Sequence, residues 1–206
     1  MSPSAVIEEH PEKDGQSRLA LIVAAGAGAA VATPLLHTLF RAASAVAASK
    51  AQDARILQLV LKLEYTQVAF YEEALRGASL TGELRDFAEA ALGHERQHLA
   101  AIKQALGVEA GKRPHFEFGS STQSPGAFRE TAIKLEDIAV SGYNGQATNL
   151  TKATLAVAAK IVSVEARHAA WVRAIAGEIA APDPVDKPLT AKQVVAGLRD
   201  IGLRAS

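Results

Sequence analysis

Two patterns of chemistry-bearing residues occur twice in this sequence. The first, Leu-Glu-x-x-x-Val-x-x-Tyr, runs Leu63, Glu64, Val68, Tyr71 and returns as Leu135, Glu136, Val140, Tyr143. The second, Glu-x-x-His-x-Ala-x-(Ile/Val)-(Lys/Arg), runs Glu95, His98, Ala100, Ile102, Lys103 and returns as Glu165, His168, Ala170, Val172, Arg173. In chain order the set reads Glu, Glu-x-x-His, Glu, Glu-x-x-His, with copies offset by 72 and 70 residues. On a helix the i,i+3 spacing puts a Glu and its His on one face. Carboxylates and imidazoles without thiolates suit iron or manganese, and the spacing does not choose between them. Each of two divalent cations could take one Glu-x-x-His pair, with Glu64 and Glu136 bridging or completing the shells. Such a pair of cations cancels four carboxylate charges, each of which otherwise costs on the order of several kcal/mol to bury.

The elements that must position these residues are four long helices. Apolar periodicity and breakers predict helices over about 53–76, 82–106 and 127–144. The fourth starts near Asn149 or Thr151 and ends near Gly177. Short loops join the first helix to the second and the third to the fourth, which makes each pair an antiparallel hairpin. The link between the hairpins is rich in Gly, Pro and Ser and is long enough to cross the bundle. A helix of about 24 residues is roughly 36 Å long. Glu64 and the Glu95/His98 pair are equidistant from the first loop, and Glu136 and the Glu165/His168 pair from the second. All six side chains therefore fall at one level. Each interrupts an apolar stripe, such as Leu57, Val60, Glu64, Val68, Tyr71 on the first helix. The fold class is all-α: an antiparallel four-helix bundle at 49–180, with a segment 1–48 before it and a tail 181–206 after it. The tail should hold a short helix at about 190–198, opened by Thr190 and Gln193 as a capping box.

Composition narrows the function classes. The chain carries 22 basic and 22 acidic residues, so no basic excess marks a nucleic-acid partner. It contains no cysteine, which removes disulfides, thiolate metal sites and a cysteine nucleophile. Residues 19–40 carry no formal charge and are rich in Ala and Gly, with Pro34 interrupting the run. Ala45-Val46-Ala47 follows as a small-residue pattern of the kind that signal peptidases cut. The segment reads as an export signal, a membrane anchor or an extra helix. An exported, periplasmic or cell-envelope location is expected, otherwise a cytoplasmic one, and membrane contact would run through residues 19–40.

A second metal motif competes for the same residues. His94-Glu95-Arg96-Gln97-His98 is a literal His-Glu-x-x-His, the zinc-protease pattern in which both histidines bind zinc and the Glu activates water. It would need a downstream acid such as Glu117. The second copy of the repeat has Val164 where this motif needs its first His, so the protease reading explains only one segment.

The repeated Leu-Glu and Glu-Ala-Arg-His segments resemble the ferritin-like superfamily, most closely the group that includes desiccation-related proteins. The resemblance covers about residues 53–178. It implies an up-down-down-up bundle with Glu64, Glu95, His98, Glu136, Glu165 and His168 as ligands of two metal ions. It places Tyr71 and Tyr143 just outside them, and singles out no residue as catalytic. Two complete Glu-x-x-His pairs look more like bacterioferritin, rubrerythrin or manganese catalase than a ferritin-cage chain. Without cysteine, rubrerythrin's thiolate iron centre is missing. The implied chemistry is oxidation of Fe(II) by oxygen or peroxide, or removal of peroxide, and a homo-oligomer is compatible with it. The alternative is a metal-binding or stress-related bundle that is not an enzyme.

Overall fold

The computed structural model describes residues 48–204. The readings of residues 19–40 and of Ala45-Val46-Ala47 lie outside that range. Among the described residues the regular structure is helical: α1 Lys50–Gly77, α2 Gly82–Leu106, α3 Pro125–Gln146, α4 Lys152–Ile175 and α5 Ala191–Ile201. None of these helices is long and apolar enough to cross a membrane.

Local chemistry accounts for the ends. Ser49 caps α1 by accepting from the Gln52 amide at 3.1 Å, so the helix starts before Asp53, where the apolar period begins. Ser124 caps α3 in the same way, with Pro125 in the first helical turn where its missing N–H costs nothing. Thr151 precedes α4, but its own side chain makes no capping bond. Asp53 supplies the acceptor instead. This buried carboxylate takes the Thr151 amide at 2.9 Å and the Thr151 and Thr154 hydroxyls at 2.5 and 2.6 Å. It thereby ties the start of α4 to the start of α1.

The direction of each helix follows from what meets at each end. Phe70 and Tyr71, late in α1, pack on Phe87, early in α2, and on Phe128, early in α3. Trp171, late in α4, packs on Phe87. The helices therefore run up, down, down, up, and the crossover 107–124 traverses the bundle. It carries two short 3-10 turns. It is held by Glu72, which pairs with Arg113, and by Glu73, which accepts from Thr122 at 2.5 Å.

The tail is anchored. The Thr190/Gln193 capping box forms, and Val194, Leu198 and Ile201 of α5 are buried, chiefly against α3. The approach is close at Gly145, where an added Cβ would lie 1.9 Å from the Leu189 carbonyl oxygen. Only glycine fits there. An isolated antiparallel bridge joins Phe116 to Leu203.

Candidate metal centre

Glu64, Glu95, Glu136 and Glu165 are fully buried, and His98 and His168 nearly so. Each helix of the bundle contributes at its middle, so one level of the core holds four carboxylates and two imidazoles. They form two overlapping groups, Glu64, Glu95, His98, Glu165 and Glu95, Glu136, Glu165, His168. Within each group one ligand atom per residue lies within 4.8 Å of all the others. Thus all six residues singled out in the sequence come together. Glu95 and Glu165 belong to both groups, whereas Glu64 and Glu136 each belong to one.

The geometry around the imidazoles is that of a cation site. The Nδ1 of His98 lies 2.9 Å from Glu165 Oε1, 3.1 Å from Glu95 Oε2 and 3.7 Å from Glu64 Oε2. The Nδ1 of His168 lies 3.0 Å from Glu95 Oε1, 3.5 Å from Glu136 Oε2 and 3.9 Å from Glu165 Oε2. One ring nitrogen carries at most one proton, yet three carboxylate oxygens converge on each. Glu64 Oε2, Glu95 Oε1, Glu165 Oε1 and His168 Nδ1 are buried without a hydrogen bond. The 3.0 Å approach of Glu95 Oε1 to His168 is off the line of any N–H, so proximity does not satisfy either atom. Buried unpartnered acceptors are costly, and a cation placed among them would engage all of these atoms at once.

Protons do part of that work when metal is absent. Burial raises Glu64 to about 8, with the His98 hydrogen bond opposing and the Glu95 charge adding to the rise. Burial first, then the Glu95 charge, lifts Glu165 well above the carboxylate range. For His98 burial favours the neutral ring, but the Glu165, Glu64 and Glu95 carboxylates gathered around it outweigh burial and raise the group to about 12. His168 rises to about 10 through Glu136 and Glu95, again against burial. Glu95 is the exception. Burial pushes it up, but the bonds to His168 and His98 prevail and bring it to about 2.

A further layer of side chains holds these groups. Tyr143 donates to Glu64 Oε1 at 2.5 Å, and Tyr71 donates to Glu136 Oε1. The tyrosines are crossed between α1 and α3. A tyrosine seven residues beyond a Glu lies about 10 Å further along the same helix, too far to reach it, whereas the antiparallel neighbour brings the other one alongside. Gln67 is buried and donates to Glu165 Oε2 at 3.0 Å and, more loosely, to Glu136. It went unnoticed in the sequence, although Glu64-x-x-Gln67 has the same i,i+3 spacing as each Glu-x-x-His. His94 Nδ1 lies 2.9 Å from His168 Nε2. The two rings are nearly parallel, at 7° with centroids 5.2 Å apart, a separation that fits an in-plane hydrogen bond rather than a face-to-face stack. In the neutral ring, a proton on His168 Nε2 shared with His94 would leave the Nδ1 lone pair free for a cation. The protease motif is not assembled: His94 belongs to neither group and meets His168 instead, and Glu117 of the crossover pairs with His115 and Arg204.

The fold and the cluster define a helical bundle with a buried carboxylate and imidazole centre that is compatible with metal. A family model for the ferritin-like domain matches residues 52–178, most of the chain, and the protein belongs to that family. A search of curated proteins finds no match.

Proposed function

We propose that the cluster holds two divalent cations, iron or manganese, and that the protein is an oxidoreductase that oxidises Fe(II) or removes peroxide. The observation that carries this reading is the sharing of Glu95 and Glu165 between the two groups, an arrangement that would suit two cations side by side. His98 and Glu64 would serve one position, and His168 and Glu136 the other. A bound pair of such ions supplies two-electron exchange with an O–O bond.

The rest of the task falls to the chain. Full burial of the four carboxylates keeps bulk water from the centre. Tyr71 and Tyr143, both held well above their ordinary range by burial and the neighbouring carboxylates, keep their protons at Oη and pin Glu136 and Glu64. Gln67 fixes the Glu165 oxygen that it touches. Glu64, titrating near neutrality, can take up or release a proton as charge at the centre changes.

The test is metal stoichiometry after anaerobic Fe(II) or Mn(II) loading, followed by oxygen and peroxide consumption. Two ions per chain and turnover are expected, with paired binding lost in Glu136→Ala. Two ions without turnover would leave a metal-binding bundle that is not an enzyme, and one tightly held zinc would overturn the paired site.

A further inference from the structure

The internal repeat predicts that Tyr71 and Tyr143 have matching surroundings, and they do not. Around Tyr71 the core is closed by rings: Phe87 at 5.9 Å, Phe128 at 5.9 Å, and Trp171 packed on Phe87 at 5.4 Å. The offsets of 72 and 70 residues carry these three positions onto Ile56, Val157 and Ala101 in the other half. All three line a cavity of about 370 Å³ that also reaches Tyr143. One end of the bundle is plugged by aromatics, and the other is left open by smaller side chains at the equivalent positions.

The cavity is drawn from all four long helices. Its walls are mostly Ala, Val, Leu and Ile, with Asp53, Thr154 and Gln146 on one side and Lys50 and Glu109 near the helix ends. Its inner residues stand next to the metal centre along each helix. Val60 is four residues from Glu64, Ile102 four from His98, and Ile161 four from Glu165. That is roughly one helical turn, about 6 Å. Tyr143 forms the remaining boundary, with its hydroxyl already on Glu64. The volume lies within the range of small-molecule sites and corresponds to about a dozen non-hydrogen atoms at roughly 30 Å³ each.

We propose that this cavity binds an uncharged, apolar organic molecule and presents it to the metal centre through the Tyr143–Glu64 contact. The proposal rests on the metal-centre reading for its second clause only. The shape and lining of the cavity give the ligand class, and the missing aromatic plug gives the reason that the space exists.

The test transplants the plug. 1-Decanol is titrated calorimetrically into the full chain, metal-free and Co(II)-loaded, as wild type, Ala101→Trp, Val157→Phe and the double variant. Ala101 and Val157 are exposed at the rim, so a ring there meets little steric resistance, and the same rings already pack at the matching positions of the other half. A helical spectrum and cooperative melting check the fold of each variant, and Ile56→Phe serves as an independent plug. Binding to wild type, weakened at least tenfold by the plugs, is expected, together with a change in the Co(II) visible spectrum on adding decanol. No decanol binding, or binding that the plugs leave unchanged, overturns the cavity. Plug-sensitive binding that leaves the Co(II) spectrum unmoved overturns the link to the centre. Failure to bind Co(II) at all, with plug-sensitive decanol binding intact, sinks the metal reading and leaves the cavity standing.

Discussion

Raising the pH of the metal-free protein from 6 to 9 tests the charge balance of the cluster. In the folded chain Glu64 sits at about 8, His168 at about 10 and His98 at about 12, against ordinary values of 4.5 for the carboxyl and 6.5 for the histidines. All three are raised on folding, so the stability that they contribute is complete below the unfolded value and is lost as pH climbs through the folded one. The windows are 4.5 to 8 for Glu64, 6.5 to 10 for His168 and 6.5 to 12 for His98. Glu95, lowered to about 2, works in the opposite sense: its contribution is present above 4.5 and lost as pH falls through 2. Between pH 7 and 8 these three groups therefore give the folded state up to three protons more than the unfolded state, with Glu165 adding in the same sense. Each is worth about 1.4 kcal/mol per pH unit, which sets a ceiling for the three of about 4 kcal/mol per unit against a total stability of roughly 5–15 kcal/mol. The expected fall is at least one proton's worth per unit from pH 7 to 9. Cations compete for the same atoms, so loading at pH 7 should release protons from Glu64, Glu165, His98 and His168 and abolish the fall. The assay is urea unfolding of chelator-treated and Mn(II)-loaded protein at each pH, with calorimetry of loading in two buffers of different ionisation enthalpy. A metal-free stability that is flat or rising from pH 7 to 9, or metal uptake without proton release, would refute the reasoning.

Three substitutions address the supports of the site. His94→Phe removes the partner of His168 Nε2 without touching either ligand group, and metal affinity should fall 10- to 100-fold in a loading titration while the helical spectrum is kept. Phe70→Ala deletes a fully buried ring that contacts Tyr71, Phe118 and Phe128, and denaturant unfolding should show a loss of about 3–5 kcal/mol. Gly145→Ala forces a methyl into the Leu189 carbonyl, and limited proteolysis should then cut at 181–190, where wild type resists.

How much was legible in the sequence depends on what each contact requires. Glu64, Glu95, His98, Glu136, Glu165 and His168 could be found because each breaks an apolar stripe and recurs at a fixed offset. Loop lengths alone then set them at one height. The start of α5 was legible from its capping box at Thr190 and that of α4 as one of two candidates, although its acceptor is Asp53 about a hundred residues earlier, whereas α1 was read from Asp53 because its first turn at Lys50 precedes the apolar period. The sharing of Glu95 and Glu165 depends on how each helix is rotated about its axis, and periodicity fixes that only to within a side chain. The crossing of Tyr71 to Glu136 and of Tyr143 to Glu64 needs the antiparallel direction of α1 and α3. An eleven-residue amphipathic segment shows that α5 has a buried face but not that α3 receives it.

The repeat itself separates what the centre demands from what surrounds it. The four glutamates, two histidines and two tyrosines of the cluster keep their chemistry between the halves, as two equivalent cation positions would require. Their neighbours do not keep theirs. Gln67 in the first half corresponds to Ala139 in the second, so only one side of the cluster has an amide donor. Phe70 corresponds to Gly142, where an added Cβ would lie 3.1 Å from Val194 of α5. In the first half a ring on the bundle helix fills its own gap. In the second the missing side chain admits a whole helix from the tail. At Ile56, Ala101 and Val157 the smaller side chains are matched by no other described residue, and the cavity beside Tyr143 remains. The donors are thus held twice over by one requirement, while the asymmetry that would distinguish this protein's chemistry lies in the residues between them.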